Sequence, residues 1–344
     1  MSKPELIQPL FLPRGVAEPS GKIGYVANVT SGIDAIDLSN GRTLWTTSEA
    51  SYPLLATTNW LAAQKMLPEQ SNAFAIAKLD TERKGSLLLL SEPIVFPDWV
   101  SVQPPNDEDF SFKVHASKDD LFLDWQAHSR YRGGANPPAY ILQQSTREDR
   151  GTVRVDLKSG KVEMLPSTER TTVQPKEASI DEQFGSAWWI AGQNLAVLVW
   201  EESQGQQVLQ LRKRGRSANH RGEKVVELAR GKALVSYVTP DGCYILVYPD
   251  VPKQLRSGQK QLWWIFPAET GHLLAKLNYE VGTQAASIFN SKIYYLVNKE
   301  VDSTAQGVTL LRSVLKAKDL SSDKLLWEHL LQEQPTRNPP PLPQ

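Results

Sequence analysis

Short apolar runs rich in β-branched and aromatic residues follow one another along most of the chain, separated by clusters of Gly, Pro, Asp, Asn and Ser. Trp188-Trp189-Ile190, Leu262-Trp263-Trp264-Ile265-Phe266 and Ile293-Tyr294-Tyr295-Leu296-Val297 are examples. Such residues favour a pleated, half-buried surface, so the runs read as strands. Long amphipathic helical periods are absent. Leu325 to Leu331 comes nearest to one, but it is short and reads better as a strand.

The turn signals group the runs into units of about four strands. The first unit holds 23–27, 33–38 and 43–47, with a missing strand to come from 6–12 or from the far terminus. The second holds 54–57, 60–64, 74–79 and 86–90, and the third 110–115, 121–127, 153–157 and 162–165. Then come 187–191, 195–200, 208–211 and 225–228; 234–239, 244–248, 262–266 and 273–277; and 285–289, 293–297, 310–316 and 325–330. That makes six units. A seventh has room only in 91–150, because Asp80 and Asp156 are 76 positions apart, against 43 from Asp37 to Asp80 and 52 from Pro267 to Asp319.

The closing hairpin of the unit is its most regular part. In Ala35-Ile36-Asp37-Leu38-Ser39-Asn40-Gly41-Arg42-Thr43-Leu44-Trp45, Gly follows Asp by four positions and Trp follows it by eight. Ala317-Lys318-Asp319-Leu320-Ser321-Ser322-Asp323-Lys324-Leu325-Leu326-Trp327 keeps both spacings, with Asp323 in the glycine slot. Asp156 and Gly160 share the offset, as do Pro267 and Gly271, while Asp80 and Gly85 form a looser copy with Lys84 in the slot. A tight hairpin needs one residue at positive φ, which Gly adopts freely and Asp or Asn at some cost. The leading Asp accepts hydrogen bonds from turn N–H groups. The Trp buries its ring between neighbouring sheets.

These segments resemble the repeats of the quinoprotein-like, or pyrroloquinoline-quinone-like (PQQ-like), β-propellers, whose repeat runs Ala-x-Asp-x-x-Thr-Gly-x-x-x-Trp. The resemblance is fullest at 35–45. At 262–275 Pro267 replaces the Asp and Ala275 the Trp; at 317–327 Asp323 replaces the Gly. It thins at 75–90 and 153–165. The implied fold is all-β: one propeller of about six four-stranded antiparallel blades, spanning 22–331. Residues 1–21 form an N-terminal segment that contributes a closing strand, and 332–344 a Pro-rich tail. A repeat of this period favours a propeller over an irregular sandwich.

Quinone-dependent enzymes of that family hold their cofactor over a Trp floor, coordinate calcium with Glu, Asn and Asp, use an Asp base, and are exported. Trp45 and Trp327 instead read as staples between blades, so no cofactor is expected. Composition narrows the partners. Lys plus Arg equals Asp plus Glu at 38 each, leaving none of the basic excess that a broad nucleic-acid or anionic-membrane surface needs. No run approaches the roughly 20 apolar residues of a membrane span, and 1–15 has no signal-peptide core. With one cysteine, Cys243, an internal disulfide is excluded. The expectation is a cytoplasmic protein, in which the sequon Asn28-Val29-Thr30 is accidental. Cys243, placed before an apolar strand, reads as an inert core thiol.

Candidate chemistry sits in the irregular stretches. Residues 128–138, His128-Ser129-Arg130-Tyr131-Arg132-Gly133-Gly134-Ala135-Asn136-Pro137-Pro138, set two Arg around a Tyr ahead of Gly and Pro pairs. Arg there can clamp a carboxylate or phosphate. Residues 93–109 contain Phe96-Pro97-Asp98-Trp99-Val100, read as packing over a blade edge, followed by a solvated acidic stretch. Asp98, Trp99, His128, Arg130, Tyr131 and Arg132 are therefore the candidate partner-binding residues, because binding groups concentrate on loops held by a rigid scaffold. The basic run within 212–224 reads as a polar hairpin guarding an edge strand. The five His show no metal-ligand spacing, and no nucleophile elbow appears, so no metal or catalytic residue is expected. The functional expectation is a non-catalytic scaffold for a protein or small ligand. The alternatives are a hydrolase or lyase with its site at the channel mouth, and a nucleic-acid scaffold using the basic hairpin.

Overall fold

The computed structural model describes residues 6–102, 110–129, 147–165, 187–189, 195–202, 205–213, 223–232, 234–249, 260–280, 283–303 and 308–335. Every regular element among them is a β-strand, and the strands form six antiparallel sheets. The sheets follow one another in chain order as the blades of a β-propeller fold, three in each of two compact units, 1–173 and 174–344.

In the first unit, the first sheet runs Leu10–Leu12, Gly15–Ala17, Ile23–Ala27, Ile33–Asp37, Thr43–Thr47. The second runs Tyr52–Ala56, Trp60–Met66, Ala73–Asp80, Ser86–Leu90, and Ile94–Val95 pairs beyond a break with Ala73 and Phe74. The third runs Phe110–Ser117, Asp120–Ser129, Arg147–Asp156, Val162–Leu165. The missing strand of the first sheet is local, supplied by 10–12 and 15–17, whereas Leu6–Ile7 pairs with the free edge of Phe110–Ser117 in the third sheet. Pro9 ends that pairing, because its ring nitrogen has no hydrogen to donate. The described part of 91–150 joins the second and third sheets and makes no seventh.

The second unit repeats the plan: Ala187–Trp189, Leu195–Glu202, Gln206–Lys213, Lys224–Gly231; then Leu234–Val238, Tyr244–Pro249, Lys260–Pro267, Ala275–Glu280; then Thr283–Phe289, Lys292–Ser303, Val308–Asp319, Leu325–Pro335. Apart from the added pairings of Leu6–Ile7 and Ile94–Val95, each sheet is an up-and-down meander, the topology that short turns between alternating strands produce.

Side chains explain the layering. In Phe110–Ser117 the alternate residues Phe110, Phe112, Val114 and Ala116 are buried, and in Asp120–Ser129 so are Leu121, Leu123, Trp125 and Ala127, the two-residue period of a strand with one wet face. Central strands are buried on both faces, as in Ala73–Ala77. The last strand of a sheet is the exposed one, with Leu44 at 48% and Leu88 at 50% exposure. Among the described residues no helix is long and apolar enough to cross a membrane.

Candidate functional site

The repeat residues come together as joints between consecutive sheets. In four hairpins an Asp carboxylate caps the turn. The N–H of Ser39 donates to Asp37 Oδ1 at 2.8 Å, that of Glu82 to Asp80 at 2.9 Å, that of Lys158 to Asp156 at 2.7 Å, and that of Ser322 to Asp319 at 2.9 Å. Bonds from the turn N–H groups at Lys158 and Ser159 hold the Asp156 carboxyl below the usual carboxylate range. The hydroxyls and N–H groups of Ser321 and Ser322 draw Asp319 down to about 2. In the Pro267 copy the backbone bond alone remains, Gly271 N–H to Pro267 O at 2.8 Å.

The residue closing each turn has positive φ: Gly41 at 76°, Gly85 at 75°, Gly160 at 77°, Gly271 at 65° and Asp323 at 55°. In the looser copy Lys84 is also at positive φ, but Gly85, whose N–H bonds Asp80 O at 2.8 Å, fills the slot that Lys84 takes by count. Conformation is half of the requirement. A Cβ on Gly85 would lie 2.6 Å from the Trp45 ring of the preceding sheet, one on Gly160 2.9 Å from Leu90 O, and one on Gly271 2.3 Å from Val226. The closing turn of each of these sheets thus receives the last strand of the sheet before it. At Asp323 a side chain does this work instead: its carboxylate accepts from Lys318 Nζ at 2.6 Å and from Asn278 N and Nδ2 of the preceding sheet at 3.2 and 3.1 Å.

The tryptophans fit the same scheme. Ala35 lies directly across from Trp45 and Ala317 across from Trp327, with a register break beside each pair. A small residue opposite leaves room for the indole, and the extra residue of the break sets the spacing of eight between Asp and Trp. Trp45 packs 5.7 Å from Tyr25 and Trp327 5.9 Å from Tyr294. Trp45 thus meets the second sheet at Gly85, while Trp327 packs on Tyr294 within its own sheet.

Of the candidate binding residues, Asp98, Trp99 and His128 are described, and they lie at the ends of the second and third sheets opposite the closing turns. Residues 96–102 are pinned along the loop joining the second and third strands of the second sheet. Phe96 N–H donates to Asn72 O at 3.0 Å, Asn72 Nδ2 returns a bond to Phe96 O at 2.7 Å, and Val102 N–H donates to Ser71 O at 2.8 Å. Phe96 stacks edge-on with Phe110 at 4.8 Å and Trp125 at 5.2 Å, where the third sheet ends. Asp98 is exposed, while Trp99 is half-buried against that core. Ala127 pairs with Phe110, and His128 follows it, half-buried, at the same end. Ser129 pairs with Arg147. Arg130, Tyr131 and Arg132 lie outside the described residues, as does the acidic stretch 103–109.

Other titratable groups have local explanations. His115 stacks on Phe122 at 5.1 Å, and burial lowers its pKa although Asp124, 3.7 Å away, pulls it up. Lys316, almost wholly buried, lies between Glu280 at 2.7 Å and Glu328 at 3.2 Å. In the basic run Lys213 is paired with Glu223 at 2.9 Å and Lys224 lies 3.6 Å from Glu227; 214–222 fall outside the described residues. Among the described residues no group of three His, Cys, Asp or Glu is placed to hold a metal. Cys243 is exposed and not a core thiol, because it belongs to the turn before Tyr244–Pro249, where strand alternation has not begun. Asn28 is nearly buried, its amide bonding Asp34 and its oxygen accepting from the N–H groups of Thr30 and Gly32, so the sequon is spent on a turn.

No protein-family model matches the chain, and no curated protein matches it. Among solved structures it is similar to the apo AtxE2 isopeptidase, at 11% identity and a TM-score of 0.45 over 94% of this chain and 52% of the other, so it spans about half that protein's length. The WD40 domain of SCAP from fission yeast follows at 10% identity and 0.36, covering 95% and 84%. The β-propeller domain of the Trilobed protease from Pyrococcus furiosus gives 14% and 0.28, covering 91% and 96%.

Proposed function

We propose that this protein is a non-catalytic scaffold that binds a protein partner at the end of the second and third sheets, with Trp99 as anchor, Asp98 and His128 beside it, and Arg130, Tyr131 and Arg132 completing the surface. The observation that carries the reading is the setting of Trp99. Its flanking backbone is hydrogen-bonded at Phe96, Val100 and Val102, its ring rests on the core, and the carboxylate of Asp98 next to it is exposed. A half-exposed aromatic ring on a rigid base loses little entropy on contact, which is the character of interface hot spots. Among the described residues, turn bonds and ion pairs displace the carboxyls of Asp156, Glu227, Asp319 and Asp323 downward and keep them charged, in keeping with structural roles. The PQQ-like character of the repeat, the closure of 22–331 as one domain, the cytoplasmic setting and the lack of a cofactor are parts of this proposal.

The test is capture from native cell extract with the tagged full chain, quantified by mass spectrometry, against Trp99→Ala and Asp98→Lys. A stoichiometric protein partner is expected with the unaltered chain. Trp99→Ala should reduce its capture about 30-fold, corresponding to the roughly 2 kcal/mol of a hot-spot residue. A partner held equally by both variants, or a bound metabolite in place of any protein, overturns the reading.

A further inference from the structure

In the second unit the joint between the fourth and fifth sheets is sealed differently from that between the first and second. The indole of Trp45 covers Gly85, whereas Val226 and Leu228 cover Gly271. These smaller side chains leave a groove beyond Leu228. It is lined by Leu228, Ala229, Trp264, Phe266 and Leu273, bordered by Arg230 and Lys276, and has a volume of about 240 Å³. Its apolar character continues outward, since Leu273 and Leu274 are 47% and 51% exposed.

Size and charge together select an occupant. Pockets for whole small molecules run from about 300 to 1,000 Å³ and bury most of the ligand. This groove is smaller and holds one apolar side chain. No carboxylate lines it. Arg230 is bonded to Glu227 at 3.2 Å, but Lys276 has no ion pair among the described residues and stands across the sheet from Trp264. An acidic residue beside the inserted side chain would meet that ammonium.

We infer that this groove docks an apolar anchor side chain flanked by acidic residues, presented by an extended segment of a protein partner; this rests on the scaffold reading and adds a second contact to it. The anchor lies against Leu228, Phe266 and Trp264, and the flanking carboxylates meet Lys276. Opposite charge across the rim sets which peptides enter and makes the contact salt-sensitive.

The test uses the full chain labelled with 5-fluorotryptophan, its Trp264 resonance assigned by Trp264→Phe and followed by fluorine NMR. Two synthetic probes are titrated, Glu-Asp-Phe-Asp-Glu and Lys-Arg-Phe-Arg-Lys, with decanoate as the small-molecule control. The acidic peptide should shift the Trp264 resonance saturably and the basic one should not. Lys276→Glu, an exposed change that leaves the core alone, should weaken the acidic peptide at least ten-fold. Equal shifts from both peptides, no shift from the acidic one, affinity unmoved by Lys276→Glu, or tighter binding of decanoate overturns the inference. If the groove takes the peptide while Trp99→Ala leaves partner capture intact, the Trp99 reading falls and the groove stands. If capture depends on Trp99 and the groove takes nothing, the reverse holds.

Discussion

Replacing Gly271 by Ala separates the two demands placed on the closing glycine, because Gly205 provides a control. Gly271 has φ +65° and Gly205 φ +70°, so each alanine variant meets nearly the same backbone penalty, about 1–2 kcal/mol for an L-residue in the left-handed region. The surroundings differ. A Cβ at 271 would sit 2.3 Å from Val226 Cγ1 and 3.1 Å from Leu211 Cδ2, whereas nothing lies within 4 Å of one at 205. Contact at 2.3 Å forces the last strand of the fourth sheet outward, and overpacking of this kind costs about 1–3 kcal/mol more. Gly205→Ala should therefore lose about 1–2 kcal/mol and Gly271→Ala about 2–5 kcal/mol. Urea unfolding at matched m-values measures both. Adding Val226→Ala to Gly271→Ala should return about 1 kcal/mol more than additivity allows, since the two residues touch. Equal losses at 271 and 205, or strict additivity with Val226→Ala, would falsify the view that the closing turn is a joint between sheets.

Two further outcomes follow from the same joints. Asp323→Gly relieves a positive φ of 55° but strips Lys318 and Asn278 of their acceptor, so urea unfolding should show a net loss of about 1–3 kcal/mol rather than the gain expected at a plain turn; a gain would refute the bridging role. The Asp319 carboxyl is depressed from 3.8 to about 2, so its contribution is present above pH 3.8 and fades as pH falls through about 2. The stability gap between the unaltered chain and Asp319→Asn should accordingly close between those pH values in urea titrations, and a constant gap would show that the turn bonds do not depend on the charge.

Much of the fold was legible because strands are local. Alternation in Phe110–Ser117 and the aromatic runs at 262–266 and 293–297 locate strands without reference to partners, and all six predicted units are present as sheets. The turn roles of Asp37, Gly41, Asp156, Gly160 and Asp319 were equally legible, since a capping carboxylate and a residue at positive φ act within five positions. Misreadings arose where the answer depended on distant chain. Leu6–Ile7 joins the third sheet, a pairing between residues more than a hundred positions apart. Lys84 and Gly85 compete for one slot, and the Trp45 ring above Gly85 shows which of them meets the neighbouring sheet. Cys243 precedes an apolar run, but the turn bonds of Thr239 and Asp241 keep it outside.

The sequence by itself determined the all-β class, the six-fold repetition and the chemistry of each turn, because those depend on residue type and on contacts a few positions apart. Tertiary structure decided what the repeat is for. Glycine recurs not only to turn the chain but to admit the strand of the sheet before it, and Asp323 replaces it where a carboxylate can reach that strand instead. The setting of Trp99 on a pinned backbone, and the groove beside Leu228 bordered by Lys276, were likewise tertiary results. Both depend on which faces of neighbouring sheets meet, and two residues equally apolar in sequence can lie on opposite sides of such a contact.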